Sequence, residues 1–292
     1  MALFSRTARG RGEPDADGIR VLREQDTAAV RALVAADPVT HAFVDAQLEA
    51  SRTVAPSGPS HYLGRFDPAG ELVAACWVGS NVVPICFDAD DGEAFGHALL
   101  RQRRRYASVF GPSEAVLGIW EQLRHGRQNA FDVRAHQPLL ALSGAPRVEG
   151  PGVVRRAWPT DFEQLLPACT RMFEEELGYS PLQNGEAQYR ARVDWLIRSG
   201  YALVETGVGG EVLFKAELGV VTPRATQVQG VWMEPSRRGQ GLAVGRMADV
   251  VGLALQAVPV VSLYVNDYNE RAVRTYASVG FEQVGEFATV LF

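Results

Sequence analysis

One short stretch constrains this chain more than any other: Val231-Trp232-Met233-Glu234-Pro235-Ser236-Arg237-Arg238-Gly239-Gln240-Gly241-Leu242-Ala243. It reads as a buried strand, a short basic turn holding two glycines, and the start of a long apolar helix. A glycine-containing turn that opens into a helix presents free backbone N–H groups, which suit an anion. Arg237 and Arg238 add fixed positive charge at the same point. The expected ligand is a pyrophosphate, held on Gly239 and Gly241 at the mouth of the helix. Further along that helix Gly245, Ala248 and Gly252 form a small-residue stripe, which packing explains. Arg246, Asp249 and Gln256 fall on another face and are expected to meet solvent.

The flanking sequence repeats. Ile19-Arg20-Val21-Leu22 precedes Asp26 as Val153-Val154-Arg155-Arg156-Ala157 precedes Asp161, each a short strand followed by an acid-capped helix. The first half offers helices near 26–36, 39–50, 91–104 and 113–125, and strands near 61–66, 71–78, 81–87 and 106–110. The second half offers helices near 160–176, 184–198, 241–256 and 269–279. Its strands fall near 201–206, 211–218, 225–233, 259–265 and 281–291. The order βααβββαβα thus recurs, which points to a tandem duplication and to α/β sheets with helices on both faces. The Gly/Pro-rich segment 143–152 is the expected linker. It would separate a first domain at 18–142 from a second at 153–292, with 1–17 as a disordered tail.

Composition excludes more than it proposes. The net charge of −5 gives no general attraction for nucleic acid or anionic membrane. The run Arg101-Gln102-Arg103-Arg104-Arg105 suits a helix C-terminus. Cys76, Cys86 and Cys169 are widely spaced, so buried free thiols in a reducing cytoplasm are expected rather than disulfides or zinc. The histidines lie at 41, 61, 97, 125 and 136 without metal-binding spacing, and no metal site is expected. The apolar stretch 247–265 is broken by Asp249, Gln256 and Pro259, which argues against a membrane span.

The last sixty residues carry a family pattern. Arg238-Gly239-Gln240-Gly241-Leu242-Ala243 fits Q/R-x-x-G-x-G/A. Downstream come Leu263-Tyr264-Val265, then Asn269-x-x-Ala272-x-x-x-Tyr276, then Gly280-Phe281. Together they resemble the GCN5-related N-acetyltransferase (GNAT) superfamily over residues 153–292, most strongly over 228–285. The first half looks like the degenerate partner domain of tandem actinobacterial members. The resemblance implies two tandem GNAT-like α/β domains, each a mixed, largely antiparallel sheet flanked by helices. It implies acetyl-coenzyme A as cofactor. Val231, Trp232 and Met233 would hold the pantetheine and acetyl carbonyl through backbone groups. Arg238, Gly239, Gln240, Gly241, Leu242, Ala243 and Val244 would hold the pyrophosphate. Asn269 would touch the pantetheine arm, or cap its helix. Tyr276 would protonate the departing thiolate.

The general base is not evident. The strand position where some members carry a glutamate holds Gln227, and Gln229 has the same limitation. Glu217 is the nearest plausible carboxylate, unless no dedicated base is used. Glu174, Glu175 and Glu176 border the expected acceptor site and would attract an amine. In the first half the comparable segment, Phe87-Asp88-Ala89-Asp90-Asp91-Gly92-Glu93, is acidic and would repel a pyrophosphate. The expected protein is a cytoplasmic acetyltransferase that moves an acetyl group directly to a primary amine of a small molecule or peptide. The alternative is a coenzyme A-binding sensor or interaction module without catalysis.

Overall fold

The computed structural model describes residues 14–86, 90–183 and 185–292. Most of the expected N-terminal tail and the Phe87–Ala89 part of the acidic segment lie outside them. The chain forms two compact units. One runs up to Gln137 and takes in Glu286–Phe292; the other is Pro138–Gly285. The boundary therefore falls before the expected 143–152 linker, which belongs to the second unit.

The first unit contains β1 (Ile19–Val21), α1 (Thr27–Ala36), α2 (Ala42–Ser51), β2 (His61–Phe66), β3 (Leu72–Val78) and β4 (Asn81–Ile85). It continues through α3 (Asp91–Arg101), β5 (Ser108–Pro112), α4 (Ser113–Leu123) and the start of β6 (Asp132–Leu142). β1 to β4 pair antiparallel in order. β4 and β5 are parallel, and β5 pairs antiparallel with Phe287–Leu291 of the chain's last strand. Alternation along the strands sends Ala74, Cys76 and Val78 towards α3 and α4, and Ala75 towards α1 and α2, so both faces are covered.

The second unit repeats the plan: β7 (Arg155–Arg156), α5 (Phe162–Leu177), α6 (Glu186–Arg198), β8 (Ala202–Thr206), β9 (Val212–Val221) and β10 (Thr226–Met233). Then follow α7 (Leu242–Ala254), β11 (Val261–Tyr264), α8 (Glu270–Val279) and the start of β12 (Glu282–Leu291). β7 to β10 pair antiparallel, β11 joins β10 in parallel, and Leu139–Leu142 of β6 pairs antiparallel with β11. Leu203, Ala216 and Leu218 meet α7 and α8 on one face. Ala202, Val204 and Val212 meet α5 and α6 on the other.

The duplication survives in side-chain detail. Asp26 takes two hydrogen bonds from Arg20 and one from the Arg23 amide. Asp161 takes two from Arg155 and one from the Trp158 amide. Each arginine pulls its aspartate below the usual carboxylate range. Each also stacks on an aromatic ring at 4.1 Å, Arg20 on Phe66 and Arg155 on Trp158.

The expected elements are present, with ends trimmed by a few residues. Strand β6 was not expected. Pro138 splits its pattern, because proline cannot donate to a ladder and is avoided inside strands. Here the chain passes between units at Pro138, whose carbonyl accepts the Val265 amide at 3.3 Å. No helix among the described residues is long and apolar enough to cross a membrane.

Candidate active site

The site is built where β10 leaves β11. The two strands pair only at Thr226↔Val261 and Gln227↔Ser262, so β10 runs on from Val228 to Met233 without β11 beside it. On its other edge β10 stays paired to β9, with a register shift between Gln229 and Trp232. Gly230 sits in that bulge at φ 58°, a left-handed value that favours glycine. A Cβ there would approach within 3.0 Å of the Glu217 carboxyl carbon and 3.1 Å of Met172 Sδ. Gly230 is thus an additional site residue. An isolated glycine in a strand pattern is the signal that could have found it. The Val231-Trp232-Met233 segment has no β11 partner along the diverging edge, and the Trp232 side chain is buried among α5 and α6.

Beyond Met233 the chain turns through Pro235–Arg237 and enters α7 at Gly241. Gly239 and Gly241 have φ values of 78° and 74°. An added Cβ at either would meet nothing within 4 Å, so conformation, not crowding, calls for glycine there. Gly241 caps α7 without a side-chain acceptor, so the first-turn amides of Leu242, Ala243 and Val244 receive no side-chain cap from it. Gln240 donates to the Ser236 carbonyl at 2.9 Å and braces the turn. An open cradle of amides with exposed Arg237 fits a diphosphate.

The rest of α7 departs from the sequence reading. Arg246 is half-buried in a two-point ion pair with Glu205, at 2.9 and 3.0 Å, rather than free in solvent. Asp249 accepts the amides of Gly152, Val153 and Val154 at 2.9, 2.9 and 3.1 Å. The end of the 143–152 segment, expected as a linker, is thereby tied to the helix. A Cβ at Gly245 would come within 2.9 Å of Pro151 Cδ, so that glycine admits the connecting segment; Gly252 has no such neighbour. A cleft of about 650 Å³ lies along this outer face, away from the diverging strands.

Tyr276 is 8% exposed and packs edge-on to Phe281 among the α7–α8 core residues. No described residue hydrogen-bonds its hydroxyl. Burial, reinforced by Glu176, pushes its pKa up to about 12, so the phenol keeps its proton at neutral pH. Asn269 caps α8, its side chain accepting the Ala272 amide at 3.2 Å.

Glu217 does not suit the role of general base. It is 2% exposed, and Lys215, the only lysine of the chain and 1% exposed, donates to it at 2.7 Å. Arg192 donates to its other oxygen at 2.9 Å, and the Cys169 thiol lies 3.8 Å away. Burial alone would raise its pKa, but the two cations override that and hold it at about 2. Such a carboxylate binds a proton too weakly to collect one from an amine. Gln227 is buried, and the Gln229 side chain lies over Gly219. Sequence reasoning missed Arg192. The Lys215–Glu217 spacing was legible, because residues two apart on a strand share a face.

The three carboxylates ending α5 have separate surroundings. Glu175 accepts hydrogen bonds from Arg238 and from the Trp232 indole. Glu176 acts electrostatically on Tyr276. Glu174 is exposed. In the first unit β4 and β5 also pair at just two positions, Asn81↔Ser108 and Val82↔Val109. There, however, β4 carries Pro84, which offers no amide, and Phe43 packs edge-on against Trp77 and Phe110. Asp91, at the start of α3, is buried in an ion pair with Arg65.

A domain model of unknown function, DUF4081, matches residues 60–165. A mycothiol acetyltransferase of Tsukamurella paurometabola is 31% identical, over 85% of this chain and 94% of its own length. A mycothiol acetyltransferase of Kytococcus sedentarius is 34% identical, over 51% of this chain and 53% of its own length. Among solved structures, a GCN5-related N-acetyltransferase from Sphaerobacter thermophilus superposes with TM-score 0.63 at 16% identity, covering 95% of this chain and 96% of that one. A GNAT-family acetyltransferase from Colwellia psychrerythraea superposes with TM-score 0.56 at 14% identity, covering 94% and 99%. At these identities the structural likeness concerns the fold.

Proposed function

This chain belongs to the GNAT acyltransferases, in the tandem-domain family that includes the mycothiol acetyltransferases, and on that premise we propose that its second unit transfers an acetyl group from acetyl-coenzyme A to a primary amine. The observation that carries the proposal is the divergence of β10 from β11 beside the uncapped entrance of α7. The cofactor would supply an acetyl thioester. The chain's own groups do the rest. Amides from Gly239 to Val244 hold the diphosphate, helped by the partial positive charge of the helix end. Backbone groups of Val231, Trp232 and Met233 align the pantetheine and polarise the acetyl carbonyl, with Asn269 offering its amide nitrogen from the cap of α8. Tyr276 holds a proton on its hydroxyl and delivers it to the leaving sulfur.

In this reading Glu217 positions and does not accept the proton. The amine enters uncharged and its proton leaves to water, by direct transfer with both partners bound. Glu174 and Glu176 would attract the amine as it approaches. The similarity to mycothiol acetyltransferases supports the amine of a mycothiol precursor as the acceptor. The first unit, with Pro84 in its strand, would shape the protein without binding the cofactor.

A second reading is a coenzyme A-binding module without turnover. The state of the two strand positions considered for a base favours it, since Glu217 is locked and Gln227 is an amide. Turnover of acetyl-coenzyme A with a panel of thiol-bearing amines decides between them. The enzyme reading requires acetylated product and a loss of about a hundredfold or more in kcat for Tyr276→Phe. Tight cofactor binding with no product from any amine would establish the module instead.

A further inference from the structure

Arg238 does not stand free at the glycine turn. Its Nε donates to the Met233 carbonyl at 2.8 Å, and one amino group donates to both oxygens of Glu175, at 2.9 and 3.1 Å. The same carboxylate accepts the Trp232 indole N–H at 3.2 Å, and Arg238 lies 5.8 Å from the Trp232 ring centre. One side chain from the last turn of α5 therefore joins the end of β10, the turn before α7 and a buried indole. From Pro235 to Ala248 the turn and helix carry no acid of their own. Glu234 lies 3.7 Å from Arg171. Glu175 is the carboxylate that the fold brings against the cation of this turn.

A carboxylate and a diphosphate compete for one guanidinium. We propose that Glu175 is a latch released by the anion: without a diphosphate it holds Arg238 to α5, and a diphosphate seated on the Gly239–Val244 amides draws Arg238 away. Release leaves Glu175 with the indole hydrogen bond alone and frees its charge at the end of α5, beside Glu174 and Glu176, where an ammonium can use it. Glu175 is thus a positioning residue that couples occupancy of the cofactor turn to the acceptor side. The proposal rests on reading this unit as the acetyl-coenzyme A site. The pair is partly exposed, with side-chain accessibilities of 36% and 45%. Such pairs are weak enough to be exchanged by a competing anion. Coupling of this kind acts in both directions, so an acceptor that engages Glu175 also tightens cofactor binding.

The test uses the full chain with coenzyme A, and with pantetheine, which lacks the diphosphate. Calorimetry is expected to show Glu175→Gln binding coenzyme A about three- to fivefold tighter than the unmodified chain at low salt, the range for releasing a partly exposed ion pair. The gain shrinks as salt screens the pair. Pantetheine affinity stays unchanged. In an Arg238→Gln background the Glu175 substitution has no effect on coenzyme A. Tryptophan emission of the unmodified chain shifts on adding coenzyme A, and Trp232→Phe abolishes the shift. Glu175→Ala repeats the comparison without the amide. If the unmodified chain binds coenzyme A and neither Glu175 variant binds it tighter, the latch is refuted while the cofactor site stands. If the unmodified chain, folded by circular dichroism, binds no coenzyme A, the site reading and the latch fall together.

Discussion

Replacing Glu217 by Gln should destabilise the second unit by about 3 kcal/mol, through charge rather than shape. Glutamine fills nearly the same volume, so no cavity opens. What is lost is the partner of Lys215, which is 1% exposed, meets the Met172 sulfur at 3.3 Å and the neighbouring Cys169, and feels the charge of Arg192. A buried charge stripped of its partner costs about 3–5 kcal/mol. A second route gives a similar figure. The two cations hold Glu217 at about 2 instead of 4.5, and at about 1.4 kcal/mol per pH unit that difference amounts to about 3–4 kcal/mol. Because the folded value is the lower one, this contribution is complete above the ordinary carboxyl range and disappears as pH falls from about 4.5 to about 2. Urea denaturation at pH 7, followed by tryptophan fluorescence, should show a lower midpoint for Glu217→Gln. Lys215→Met combined with Glu217→Gln should recover most of the loss, since it removes the fully buried pair and leaves only Arg192, whose side chain is partly exposed to water. A single variant within 1 kcal/mol of the parent would refute the reasoning, as would a double variant no more stable than the single.

Other outcomes follow from the same geometry. Gly241→Ala forces a side chain into a left-handed conformation, costing about 1–2 kcal/mol; since nothing crowds the new methyl, the protein should fold and show weaker coenzyme A binding by calorimetry. Asp249→Asn removes the charge that receives three amides, so limited proteolysis should cut the 143–153 segment faster while the rest of the unit persists. Tyr276→Phe should leave thermal stability nearly unchanged, because no described residue bonds the hydroxyl. With that phenol at about 12, the parent's kcat should show no loss from its ionisation between pH 7 and 10. An alkaline decline there that vanishes in the phenylalanine variant would contradict so high a pKa for Tyr276.

Much of the site was legible because it is local. The glycine turn, the following helix and the Asn269–Tyr276 spacing lie within consecutive residues, and positive φ at Gly239 and Gly241 follows from the turn they make. The paired Arg20–Asp26 and Arg155–Asp161 segments likewise betrayed the duplication, since each bond spans only six residues. Strand β6 was hidden by Pro138, and no residue pattern says which sheet edge a strand will join.

The sequence by itself therefore determined the order of most elements, their faces and the glycine turn. These depend on backbone preference and periodicity over a few residues. Only the tertiary structure decided what each carboxylate does. Glu217 became a buried counter-ion because Arg192 and Lys215 reach it from another helix and the same strand. Glu175 became a partner of Arg238 across 63 residues, and Asp249 became the anchor of a segment nearly a hundred residues earlier. A charged group's function depends on which opposite charge the folded chain brings within hydrogen-bond range, and how far both are taken from water.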